Sequence, residues 1–354
     1  MSTPVPPELV GRPFRLDEAR RAGLTVGVLR GARFAHLTRA VYVVGSGRPA
    51  LAQQAQGVAL AVPDAVVSCS SAAAMWGVPV PVDGLDRLHV CGAGQVHRRG
   101  VVAHDRAGGD AIHGSIHGVR VTSPERTFVD LAAESTDADL LAVGDALVSR
   151  SLVTPAALIS ASAAATGRRG AVRARRIAAL VRIGVDSPME SMLRLLILAD
   201  GLPEPVVGRD VVWQGRWLAR PDLSYPAERV AIEYDGLHHE RSARQRQRDI
   251  CRNEDLIDAG WVVRTVTARD VLGRLDVSST ACASCSTPRR DEAAETALVA
   301  GAAEGSRAET AVSSVKEDSS SSVRGDSSAS VEARRRAVGL VGKGGLGGVG
   351  GARR

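Results

Sequence analysis

Apolar positions recur along this chain with two periods, and the switches between them mark out its elements. From Arg229 to Tyr234 a short apolar run predicts a buried strand. Strand alternation puts Val230, Ile232 and Tyr234 on one face, against a core, and Ala231, Glu233 and Asp235 on the other. Tyr-Pro-Ala-Glu before it is turn chemistry, so Asp222 is expected at the end of a preceding strand and beside Glu233. Upstream, Met192 to Leu198 carries the apolar face of a helix stopped by Gly201. Val206 to Trp213, Gln214-Gly215 and Arg216 to Ser224 then read as strand, turn and strand. Downstream, Glu240 to Ala259 predicts a helix ended by Gly260, Trp261 to Thr267 a last strand, and Ala268 to Leu272 a closing helical turn. The order is αβββαβ.

The first third of the chain reads differently. Phe14 to Ala22 predicts a short helix, Gly23-Leu24 a turn, and Thr25 the cap of a second helix running to about Phe34. With Leu37 to Val44 as a strand, this is a helix-turn-helix with a wing whose second helix would present Arg30 and Arg33 to double-stranded DNA. From Gln53 to about Thr166 the chain is rich in Ala and Val, with helical runs (Gln53 to Val62, Ser70 to Met75) and strands (Arg87 to Cys91, Gly118 to Val121). Ser123 and Pro124 form a helix start, cap and first position. His104, His113 and His117 are spaced too irregularly for a common metal-ligand pattern.

Arg168 to Arg182 holds six arginines and no acid, which reads as a basic linker leading into Ser187-Pro188-Met189-Glu190. Those four predict a capping box, with Glu190 satisfying a backbone amide. No aromatic residue follows Trp261, and from about Val277 the sequence is rich in Ser, Ala, Gly and charge, the composition of a disordered tail. The expected division is a winged-helix module (1–46), an α/β middle domain (47–166), a linker (167–186), a domain carrying the acids (187–276) and the tail (277–354).

A chain of 354 residues has room for two domains or more. The net charge of +6 suits a nucleic-acid partner, and equally a basic tail on a neutral enzyme. The cysteine count of 5 is odd, and the start lacks the charged and apolar regions of a signal peptide, so a reduced, cytoplasmic protein without a membrane span is expected. Cys282 and Cys285 lack a second pair for zinc.

Chemistry concentrates between Asp222 and His239. Carboxylates of Asp222 and Glu233 converging from neighbouring strands suit a hard divalent cation such as Mg²⁺. Acids beside Gly236 are also the common solvated exit of a strand into a loop. On the following helix Arg241, Arg244, Arg248 and Arg252 fall at steps of three or four, a basic stripe suited to phosphate.

Pro221-Asp222, Val-Ala-Ile-Glu-Tyr-Asp-Gly with His239 after it, Arg-Asp-Ile-Cys-Arg-Asn and Gly-Trp-Val-Val-Arg-Thr-Val-Thr together resemble the restriction-endonuclease-like domain related to very-short-patch-repair (Vsr) endonucleases. Phe-Arg-Leu-Asp-Glu-Ala through Leu-Thr-Arg-Ala-Val-Tyr-Val-Val, Ala65 to Gly77 and Val121 to Ala132 are similar to the AbiEi-type antitoxin family, whose members repress their own operons. The first resemblance implies a Mg²⁺-dependent DNA endonuclease in which Asp222 and Glu233 hold the metal, Glu190 stands behind them, and Asp235 with His239 lies near the attacking water. It departs from the superfamily pattern at Asp235, where a lysine is usual. The second implies a DNA-binding regulator with a cognate toxin as partner.

Overall fold

The computed structural model describes residues 4–80, 86–92, 98, 100–104, 112–236 and 243–273, without the side chains of 112–113 and 243–246. The expected tail, His239 and Arg241 lie outside the described residues, and so does the side chain of Arg244. The fold is α/β, with several mixed and antiparallel sheets.

At the N-terminus, β1 (Phe14–Arg15) leads into α1 (Leu16–Arg21), α2 (Val26–Leu29), β2 (Phe34–Thr38) and β3 (Val41–Val44). The strands form one sheet in the order β1-β3-β2. Thr25 caps α2 as expected, its Oγ1 accepting from the Val28 amide at 3.3 Å. Two expectations fail here. Phe14 is not helical; it pairs with Tyr42 across the sheet and is fully buried among Leu9, Ala19, Leu24 and Leu29. The second helix does not reach Phe34, because Phe34 starts the strand that pairs with Val44. Glycines at 27 and 31 weaken helix continuation, and the helix closes with Arg30 as its C-cap.

The middle of the chain contributes α3 (Leu51–Ala61), β4 (Val66–Val67), α4 (Cys69–Met75), β5 (Leu88–Cys91), β6 (Val101–His104), β7 (Ile112–Ile116) and β8 (Val119–Thr122). These strands form a five-stranded mixed sheet, β6-β5-β4-β8-β7. Helices α5 (Pro124–Leu131), α6 (Asp137–Ser149), α7 (Pro155–Ala164) and α8 (Ala171–Ala178) follow. Ser123 caps α5 through the Arg126 amide, with Pro124 in its first turn, as its sequence requires.

The stretch read as a basic linker is folded. Ala174, Ile177, Ala178 and Val181 enter the largest core beside Phe128, Leu141 and Leu147, while Arg175 and Arg176 of α8 are exposed. Arg173 donates to the carbonyls of Ala132 and Ser135 and pairs with Asp137, and Arg176 pairs with Asp137 as well. A helix with one apolar stripe and a basic outer face explains the composition without a linker.

The C-terminal unit starts with α9 (Pro188–Ala199) and continues as β9 (Val206–Val207), β10 (Val211–Trp213), β11 (Arg216–Ala219), β12 (Leu223–Tyr225), β13 (Val230–Asp235), α10 (Ala243–Asp258) and β14 (Val262–Thr267). Its sheet runs β14-β13-β12-β9. β10 and β11 form a separate hairpin, turned by Gln214 (φ 50°) and Gly215 (φ 78°), both left-handed as a two-residue hairpin loop requires. β13 pairs antiparallel with β12 and parallel with β14, α10 forming the crossover. Val230 and Ile232 pack with Leu193, Leu196 and Ile197 of α9. Ala231 packs on the opposite face with Leu256 and Ala259 of α10. The central strand is therefore covered on both sides near its start and exposed only at its end.

The opposite side of α9 is buried too. Arg194 is 0% exposed and donates to both carboxylate oxygens of Asp145 on α6, at 3.0 and 2.7 Å, with Asp145 1% exposed. Asp145 also accepts from Ser191 Oγ at 2.7 Å and from the Arg182 amide at 2.8 Å. Burial pushes its carboxyl upward, while Arg194, the Arg182 amide and Ser191 pull against that. This network fixes the helix that carries Glu190 to the helical core.

Candidate functional site

Asp222 opens β12 beside the end of β13, which carries Glu233, and Glu190 lies in the first turn of α9. Leu223 pairs with Ile232, Ser224 with Ala231 and Tyr225 with Val230. One step further along that antiparallel register, Asp222 lies opposite Glu233. It precedes β12 and so opens that strand; the long strand expected from Arg216 onward is broken before it. Its Oδ2 accepts from the Tyr234 amide at 2.7 Å, and its carbonyl accepts from the Gly208 amide at 2.9 Å. These bonds tie Asp222 to both neighbouring strands, which fixes the carboxylate at the sheet end.

Glu190 sits in the first turn of α9 and is 6% exposed. Ser187 caps the helix, its Oγ accepting from the Glu190 amide at 3.3 Å. The other half of the expected capping box differs. Glu190 Oε2 accepts from the Asp186 amide at 3.0 Å, one residue before the cap. Burial raises the Glu190 carboxyl above its ordinary range, the Asp186 amide and Ser187 partly offset this, and the charges of Asp222 and Asp186 push it up further. Glu190 and Asp222 therefore feel each other, across the space between helix and sheet.

Glu233 is half-buried on the α10 side of the sheet, its Oε2 3.6 Å from Arg252 Nη2. Arg252 also pairs with Asp249 at 3.2 Å. Within the basic stripe of α10, Arg252 is thus the member that reaches the acids and stays partly exposed. Arg248 is exposed and lines a groove between α10 and the β10–β11 hairpin, with Trp217, Leu218, Gln247 and Cys251. Asp235 ends β13 and is exposed; burial first, and its charge second, raise the Tyr234 phenol.

Arg30 and Arg33 are exposed, but neither is on a helix face of any length, because α2 is a single turn. They flank the entry to β2, and the Arg33 guanidinium lies 5.8 Å from the centre of the Phe34 ring.

Among the described residues, metal-ligating atoms of three or more His, Cys, Asp or Glu come within 4.8 Å of one another at a different place: Cys69, His89, His104 and Glu134. The spacing of His104, His113 and His117 gave no hint of it, because the partners of His104 come from elsewhere in the fold. His117 is on an exposed turn.

No family model matches the chain. Two uncharacterized proteins of Mycobacterium tuberculosis, from strains CDC 1551 and H37Rv, are each 28% identical to it over 209 residues, covering 58% of this chain and 76% of theirs. Among the described residues no helix is long and apolar enough to cross a membrane.

Proposed function

We propose that the chain is a metal-dependent endonuclease acting on double-stranded DNA in the cytoplasm, with Asp222 and Glu233 as the ligands of a Mg²⁺ ion. The observation that carries this reading is the register that sets Asp222 opposite Glu233 at the end of the central strand, with Glu190 buried close enough to feel the Asp222 charge. Carboxylates brought together from these positions would favour a cation among them, and an all-carboxylate donor set suits a hard one. Such an ion lowers the pKa of bound water and neutralises charge on the scissile phosphate.

The chain's own residues supply the rest. The Tyr234 amide orients Asp222, and the buried cap network holds Glu190 behind it. Arg252 balances Glu233 and lies beside exposed Arg248, so both guanidiniums can meet phosphate along the groove of α10. Asp235 stands where the resembling nucleases carry a lysine, so an ion held by Asp222 and Glu233 would have to acidify the water, or His239 would have to take its proton.

One observation favours a second reading. Arg252 already supplies a counter-charge to Glu233, as in a site that grips DNA without cutting it. That would be a DNA-binding regulator of antitoxin type with a cognate toxin. A nicking assay separates the two. Supercoiled plasmid should be relaxed by the wild type with Mg²⁺ and left intact with chelator, and Asp222→Ala or Glu233→Ala should bind DNA without cutting. Failure of the wild type to cut duplex, single-stranded or mismatched DNA with Mg²⁺ or Mn²⁺ would overturn the nuclease reading.

A further inference from the structure

We propose that Cys69, His89, His104 and Glu134 form a zinc-binding site in the middle of the chain, separate from the carboxylates of β12 and β13. Four distant segments deliver these residues. Cys69 begins α4 directly after β4, His89 lies in β5, His104 ends β6, and Glu134 sits in the turn after α5. β5 and β6 are parallel, with His89 opposite Val102 and Cys91 opposite His104. Alternation therefore puts both histidines on one face of the sheet, while Leu88 and Val90 face the other core.

The geometry suits a small dication. All four donor atoms lie within 4.8 Å of one another. His89 Nδ1 and His104 Nε2 are 2.9 Å apart, and His104 Nδ1 is 3.5 Å from Glu134 Oε1. Around tetrahedral zinc, with bonds of about 2.0 Å to nitrogen and oxygen and 2.3 Å to sulfur, donor atoms stand roughly 3.3 to 3.6 Å apart. His104 meets His89 through Nε2 and Glu134 through Nδ1, so binding an ion would commit one of these nitrogens and turn the ring to bring its donor to that spacing.

The chemistry selects among metals. A thiolate with two imidazoles favours zinc over the magnesium that suits carboxylates alone. Cys69, His89 and His104 form the nitrogen and sulfur core of the site. Glu134, its side chain 40% exposed, is the fourth donor and the side from which an ion enters.

The scaffold is built for position. The Ser68 amide donates to the His89 carbonyl at 3.0 Å, and the His89 amide donates to Ser71 Oγ at 2.9 Å, so the two ligand segments are tied by their backbones. Cys69 itself has φ 49°, a left-handed conformation that a residue with a side chain adopts at a cost and that surrounding structure must hold in place. With Cys69 0% exposed, the cluster binds an ion more readily than it admits a substrate to the sulfur.

The test uses the full chain, stripped with chelator and dialysed against Zn²⁺, then separately against Co²⁺. The wild type should retain a single zinc that competes with a chromophoric chelator. Its cobalt form should show a thiolate charge-transfer band with tetrahedral ligand-field absorption. Cys69→Ala should lose that band, and His89→Ala should lose zinc retention. Should these buried variants fail to fold, Glu134→Gln serves, being partly exposed; its zinc affinity should fall by more than the about 10- to 100-fold that loss of a supporting residue costs, with an unchanged circular dichroism spectrum. Absence of retained zinc in the wild type, or retention equal in Glu134→Gln, would overturn the site. So would rapid alkylation of Cys69 that zinc does not slow, which would mark a nucleophile instead.

Discussion

Replacing Arg194 with methionine tests how the acid-bearing helix is held. The guanidinium is 0% exposed, bonds both oxygens of a carboxylate that is 1% exposed, and also donates to the Leu180 carbonyl at 2.6 Å and to Glu204 at 3.1 Å. Methionine fills much of the same space but leaves Asp145 charged in the core with only Ser191 and the Arg182 amide. Breaking a buried pair from one side costs about 3–5 kcal/mol. For a folded body of this size, roughly 2–4 °C per kcal/mol gives a fall in Tm on the order of 10 °C. Glu204 adds little to the loss, because it is partly exposed and keeps Arg182. Differential scanning calorimetry of the wild type, Arg194→Met, Asp145→Leu and the double variant completes the cycle. The double variant should recover part of the loss, since no unpaired charge remains buried. A single variant within about 1 kcal/mol of wild type would refute the reading that this pair anchors α9.

Three further outcomes are expected. The Glu190 carboxyl is raised when folded, so its charge costs stability above that raised pKa, and the cost is relieved as pH falls through it toward the unfolded value. Glu190→Gln should therefore stabilise metal-free protein at neutral pH, with a gain that shrinks toward acid in urea titrations; a gain that grows toward acid would contradict the sign. Gly170 has φ 82°, and a Cβ there would lie 2.5 Å from the Ala133 amide nitrogen and 2.7 Å from the Ala132 carbonyl oxygen. Gly170→Ala combines left-handed strain with a backbone clash, so about 2–4 kcal/mol should be lost, read as a shifted urea midpoint. If Arg30 and Arg33 meet phosphates, replacing both with alanine should lower the salt slope of DNA binding by roughly one unit for each phosphate no longer neutralised; fluorescence anisotropy across a salt titration checks this.

Much of the C-terminal unit could be read from the chain alone, because local chemistry and global pattern agree there. Ser187 caps α9, Gly201 and Gly260 close helices at φ 76° and 80°, and Gln214-Gly215 turns a hairpin. The backbone position of Asp222 opposite Glu233 followed from turn placement and strand period. The two-sided burial of β13 did not, since the small Ala231 gives no sign of the α10 core that covers it. Near the N-terminus local pattern was misleading. Leu16–Arg21 is a helix, but Phe14 before it joins a strand through Tyr42, a partner that no local window contains. In α8 the arginines concealed a short apolar stripe, Ala174, Ile177, Ala178, that is decisive once Phe128 and Leu141 provide a surface. The Cys69, His89, His104 and Glu134 cluster was invisible for a related reason. Its ligands sit on four elements whose meeting depends on the crossing of the five-stranded sheet, so no spacing along the chain announces it.

The nuclease reading stands or falls on whether Asp222 and Glu233 hold a divalent cation between neighbouring strands. Electron paramagnetic resonance measures this directly, by following free Mn²⁺ during titration of protein already loaded with zinc, so that Cys69 and its neighbours are filled. The wild type should take up Mn²⁺ at a site that Mg²⁺ competes for, and Asp222→Ala should lose this uptake while keeping its fold by circular dichroism. Equal Mn²⁺ uptake by the wild type and Asp222→Ala would contradict it.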